Sequence, residues 1–123
     1  MSAGGTARWP VELRLKRAEK RLDIAFDDGS HFSLPAEYLR VESPSAEVQG
    51  HGAGHKKLVH GRAHVGIMGL EPVGNYAVKI TFDDLHDTGI YSWNYLYQLG
   101  VEREKRWREY LDALAANGLR REP

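Results

Sequence analysis

Two stretches hold the side chains richest in chemistry. Asp83, Asp84, His86 and Asp87 crowd five residues between a strand-like run and an aromatic segment. Carboxylate oxygens beside an imidazole suit a divalent metal or general acid–base work. The same residues make an Asx-rich turn, whose carboxylates accept from nearby backbone amides, and this plainer reading is favoured. His86, Asp87 and Thr88 are not read as an iron-binding facial triad, which needs a distant second histidine and a dioxygenase barrel. The second stretch carries His51, His55, His60 and His64. Its four-residue spacings would let histidine pairs chelate a transition metal on a helix. The interleaved glycines argue against a helix, and no carboxylate lies between Glu47 and Glu71. A histidine loop without metal is therefore favoured, with Lys56, Lys57 and Arg62 offering an anion-binding loop as the alternative. No Walker-type glycine–lysine–serine pattern supports a nucleotide.

Nucleophiles are scarcer. No Gly-x-Ser-x-Gly elbow is present, and Ser43 and Ser45 flank a proline with no obvious base nearby. With no cysteine in 123 residues, a disulfide framework, a thiolate zinc site and a cysteine nucleophile are excluded. Tyr91, Trp93, Tyr95 and Tyr97 could stack on a ligand. Trp93 and Leu96 fit one helix face and read as core, whereas Tyr95 and Tyr97 reach the surface or a partner. The formal net charge is zero, so no global field favours nucleic acid or a membrane. The charge is uneven, however. Arg8 to Arg21 is basic and Asp23 to Glu47 acidic, as expected of neighbouring antiparallel strands paired through their polar faces. The opening residues lack an apolar signal segment and no run approaches a membrane span, so a cytoplasmic protein is expected.

The elements that must position these groups read as an α+β domain, a small antiparallel β-rich body followed by C-terminal helices. Residues 1–9 form a flexible tail, 10–118 the domain and 119–123 a C-terminal tail. Val11, Leu13 and Leu15 alternate with charges, as do Leu22, Ile24 and Phe26, and Asp27 to Ser30 supplies a hairpin turn. His31 to Leu34 returns, and Pro35 opens a helical turn over Ala36 to Leu39. Residues 41–61 show no period and read as a long loop. Val65 to Leu70 and Tyr76 to Phe82 are strands. Gly89 reads as a turn glycine of positive φ. Ser92 caps a helix from Trp93 to Leu99 closed by Gly100, and a second helix runs from Glu102 to Asn117 with Gly118 as its stop.

Several of these pieces, in this order, resemble the gamma-butyrobetaine hydroxylase-like N-terminal domain family. They are the strand pair through Asp28-Gly29, the segment Leu34-Pro35-Ala36-Glu37-Tyr38-Leu39-Arg40, Val73 to Val78, and the specific run Phe82 to Trp93. The similarity spans roughly Pro10 to Gly100, in the manner of small standalone bacterial members. The resemblance implies a domain also found attached to 2-oxoglutarate dioxygenases and to P-loop scaffold proteins of iron–sulfur cluster assembly. In the dioxygenase members it implies a structural zinc held by three cysteines and a histidine. Those positions fall here on Ser43, Ser45, Val48 and His86, so the zinc site is expected to be lost and no cofactor is expected. The dioxygenase's iron ligands belong to a domain absent here, so its activity does not transfer. The expectation is a non-catalytic accessory domain with a protein partner, possessing a candidate binding surface of Asp83, Asp84, His86, Asp87, Tyr91 and Tyr95. A small-molecule or metal-binding protein using the Asp83–Asp87 turn and the His51–His64 loop is the alternative. With its zinc partners gone, His86→Ala is expected to leave stability nearly unchanged.

Overall fold

Alternation of apolar and polar residues dictates the first half of the molecule. A computed structural model describes residues 8–50 and 56–123. Strands β1 (Pro10–Lys16), β2 (Arg21–Phe26) and β3 (His31–Pro35) form an antiparallel sheet in the order β1-β2-β3. Leu22, Ile24 and Phe26 turn one face of β2 wholly inward. Gly29, at φ +88, closes the second hairpin, while Ser30 donates its amide to Asp28 Oδ1 at 2.9 Å. The expected charge pairing is partly realised. Arg14 lies opposite Asp23 in register, yet its guanidinium bonds Glu12, and Arg21 bonds Asp23.

Helix α1 (Ala36–Val41) follows Pro35, which stands in extended backbone as the N-cap. The segment read as an unstructured loop contains a single helical turn, α2 (Ala46–Gln49). Ser45 caps it by accepting from the Glu47 amide at 3.1 Å. A second antiparallel sheet, β4 (Ile67–Val73), β5 (Ala77–Phe82) and β6 (Gly89–Ser92), has the order β4-β5-β6. Pro72 is tolerated because β4 is an edge. The two sheets and helix α3 (Trp93–Val101) share one core through Phe26, Leu34, Ile80, Phe82, Leu96 and Leu99. Helix α4 (Arg103–Ala116) packs Tyr110 and Leu114 over Val41, Val48 and Val59 as a smaller cluster.

Two glycines are used differently from expectation. Gly89 is not a positive-φ turn residue but the first residue of β6, and a Cβ there would lie 2.6 Å from Ser43 Oγ. Gly100 does not close α3, which runs on to Val101; instead its bare Cα admits the Phe32 ring, which a Cβ would overlap. Gly118, at φ +65, does lie just past the end of α4. The residues read as tails are bonded where they are described. The Arg8 amide donates to Asn94 Oδ1, Gly61 and Ala63 donate to Arg120 and Arg121 carbonyls, and Arg121 grips Glu37 with two bonds of 2.7 and 2.9 Å. Among the described residues, no helix is long and apolar enough to cross a membrane.

Candidate functional site

The chain leaves α1 at Val41, turns through Ser43 and Ser45 into α2, and lies against the turn between β5 and β6. Residues 43 to 48 thereby meet residues 84 to 89. Ser43 Oγ lies 2.9 Å from His86 Nε2, and His86 Nδ1 lies 3.0 Å from Glu47 Oε1. Thr88 Oγ1 donates to the same Glu47 oxygen at 3.1 Å and lies 2.6 Å from Ser45 Oγ. With Nδ1 protonated toward Glu47, the Ser43 hydroxyl donates to Nε2, and its oxygen accepts from the Ser45 amide at 3.2 Å. Burial, joined by the charge of Arg40, pushes the imidazole below its ordinary pKa despite the opposing pull of Glu47 and Asp84. His86 is thus neutral at pH 7.

Serine, histidine and glutamate in that order make the outline of a nucleophile–base–acid relay. Its chemistry is blocked. Ser43 has no exposed surface, with Gly89 and Tyr91 closing over it, so no substrate carbonyl can approach its oxygen. Zinc does not fit either. The Ser43 and Ser45 hydroxyls are already committed to His86 and Thr88, and Val48, buried beside them, offers no donor atom. The four positions do come together in space, but as a hydrogen-bonded corner.

The acidic cluster divides. Asp84 Oδ2 accepts from Arg40 Nε at 2.8 Å and Arg62 Nε at 2.7 Å, while Oδ1 accepts from the His86 amide at 3.2 Å. Burial alone would raise its pKa, but these bonds and the two guanidinium charges hold the carboxyl below the usual range. Asp84 is an Asx-turn residue locked by two arginines and has little left for a metal. Asp83 and Asp87 are exposed, and Leu85 between them has φ +73. His86 and Tyr91, expected on a binding surface, are buried instead, because β6 carries Tyr91 into the shared core and the corner encloses His86. Tyr95 is half-buried and donates its hydroxyl to the Glu42 carbonyl at 2.5 Å.

Of the histidine loop, His51 and His55 lie outside the described residues. His60 is exposed, and the His64 carbonyl accepts from Lys20 Nζ at 2.9 Å. No group of three metal-ligating side chains occurs among the described residues. Arg40 and Glu47 are the contributors that sequence reasoning missed as site residues, whereas Arg62, read as part of an anion-binding loop, also grips Asp84. The Arg40–Asp84 pair spans forty-four positions with no local pattern to betray it. Only Glu47 left a trace, as an acidic residue in the first turn after a serine cap.

Comparison with known proteins agrees with this architecture. The family described as "Gamma-butyrobetaine hydroxylase-like, N-terminal" matches residues 13–97. A protein solved by NMR in solution is 45% identical, with a TM-score of 0.84 over 96% of this chain and 93% of that one. A second NMR structure is 47% identical, with a TM-score of 0.83, covering 100% of this chain and 92% of the other. A crystal structure from Acidithiobacillus ferrooxidans, a protein of unknown function in the DUF971 family, is 35% identical with a TM-score of 0.58. It aligns over 74% of this chain and 91% of its own. No curated protein matches significantly.

Proposed function

The chain belongs to the gamma-butyrobetaine hydroxylase-like, N-terminal family, and from that premise we propose that it is a non-catalytic accessory domain that docks on a protein partner. The proposal places it in iron–sulfur cluster or metal-related metabolism in the cytoplasm. The observation that carries the reading is the tip of the turn between β5 and β6. Leu85 is 80% exposed and held at φ +73, with its amide donating to the Phe82 carbonyl at 3.0 Å. Left-handed backbone costs a residue with a Cβ roughly 1–2 kcal/mol, and burial returns nothing to Leu85 in this chain. Glycine or asparagine would serve the turn better, so the leucine answers to something outside the fold.

A partner is the natural answer. Covering a leucine side chain contributes roughly 1.5–3 kcal/mol, and the exposed Asp83 and Asp87 on either side would fix orientation. The sealed Ser43 takes support from a catalytic reading. The metabolic setting follows the attachments that the family resemblance implies, and a cysteine-free chain suits a reducing compartment.

Capture from the native cell with tagged wild type and Leu85→Gly tests this. The wild type should retain a defined protein of iron–sulfur or metal metabolism, and cell fractionation should find both in the cytoplasm. Leu85→Gly should match or exceed the wild type in thermal stability and lose the partner. Capture indifferent to Leu85, or none at physiological salt, overturns the proposal.

A further inference from the structure

Beside the Ser43–His86 corner lies a pocket of about 340 Å³, lined by Arg40, Lys57, His60, Arg62, His86 and Glu47. We propose that it binds the phosphate monoester of a small organic molecule. Arg40 spends only Nε on Asp84, and its Nη1 is shut from solvent with no partner among the described residues. An unpaired buried guanidinium N–H is costly, and a small shift of the Arg40 side chain toward an oxyanion in the pocket would pair it. Lys57 is exposed and, unlike Lys56, which bonds Glu42, has no ion-pair partner among the described residues. Arg40, Lys57 and Arg62 bring three positive charges against the carboxylates of Asp84 and Glu47. The net is one positive charge, and the Glu47 Oε1 is already engaged by His86 and Thr88.

Size and lining point past the bare ion. A volume of 340 Å³ lies within the range of small-molecule sites, about 300–1,000 Å³, and leaves space beyond a phosphoryl group. Val48 and Val59 supply apolar wall for the organic part. Leu85 does not line this pocket, so the proposal stands apart from the docking reading.

Heteronuclear NMR titration of the full chain at low salt, with glycerol 3-phosphate in one arm and inorganic phosphate in the other, is the test. Saturable shifts around Arg40 and Arg62 are expected in both arms, with the monoester bound several-fold more tightly. Lys57→Ala, at an exposed position, should weaken binding about tenfold, one charged hydrogen bond's worth. Glu47→Gln keeps an acceptor toward His86 and Thr88 and should tighten it. Lys105→Ala, on α4 outside the pocket, should change nothing. Absence of saturation at millimolar ligand, or equal loss in Lys57→Ala and Lys105→Ala, overturns the site. Inorganic phosphate binding as tightly as the monoester overturns the ligand assignment.

Discussion

Replacing Gly89 by alanine tests the corner most sharply, because the added atom has nowhere to go. An ideal Cβ would stand 2.6 Å from Ser43 Oγ and 3.0 Å from Tyr91 Cε1, both in side chains with no exposed surface. Tyr91 cannot swing aside cheaply, since its hydroxyl donates to the Leu39 carbonyl at 2.5 Å. Overpacking of this kind costs roughly 1–3 kcal/mol. Displacing Ser43 breaks its 2.9 Å bond to His86 Nε2 and leaves a buried acceptor unpaired, a further 1–3 kcal/mol or so. The stiffer unfolded chain of an alanine variant returns about 0.4–1 kcal/mol. The net is a loss of about 1–5 kcal/mol, centred near 3, or on the order of 10 °C in the melting temperature of a chain this size. Gly69→Ala is the control: it is also a strand glycine, but nothing lies within 4 Å of its Cβ. Thermal and urea unfolding of both variants measure the difference, and Ser43→Ala combined with Gly89→Ala should recover part of it. If Gly89→Ala melts within a degree or two of Gly69→Ala, the corner is looser than its distances imply and the reasoning fails.

Three other outcomes follow from the same geometry. His86 titrates below its ordinary value when folded, so the unfolded chain binds the extra proton first. Its contribution is therefore complete above about pH 6.5 and is lost as pH falls through the folded value, by at most about 1.4 kcal/mol per pH unit. Urea melts from pH 8 to 5 should show the loss, and His86→Gln should flatten it; the Asp84 contribution belongs to a separate window, below the ordinary aspartate value of 3.8. His86→Ala, nearly neutral by the sequence argument, should instead cost about 1–3 kcal/mol, since Ser43 loses its acceptor inside the protein. Ser92→Ala should cost about 1 kcal/mol in the same melts, because the Ser92 hydroxyl accepts the Tyr95 amide at 3.1 Å at the start of α3.

Period-two runs and caps made most of the fold readable in advance. Leu22, Ile24 and Phe26 on β2, and Val78, Ile80 and Phe82 on β5, alternate in the chain as they face the core in space. Ser92 and Gly118 mark helix ends by local chemistry alone. Failure came where tertiary contact overrides local preference. Gly89 and Gly100 look like turn and stop residues, yet each is required by a ring or hydroxyl far away in sequence. Strand β6 is only four residues long and begins at that glycine, too short to show a period. Helix α2 hides for the same reason, one turn behind a serine cap.

The site was legible as positions but not as chemistry. Aligning Ser43, Ser45, Val48 and His86 to a metal site correctly implies that four residues from two distant segments converge. It says nothing of what fills the space once thiolates are absent. Buried hydroxyls cannot be left idle, because each unpaired polar group costs about 1–3 kcal/mol. Glu47 and Thr88 therefore enter the network to complete the partners of His86 and Ser45. A metal ties its ligands from one point, whereas a hydrogen-bonded corner needs every member in register. It is consequently Gly89, the residue without a side chain, on which the packing of Ser43 against His86 depends.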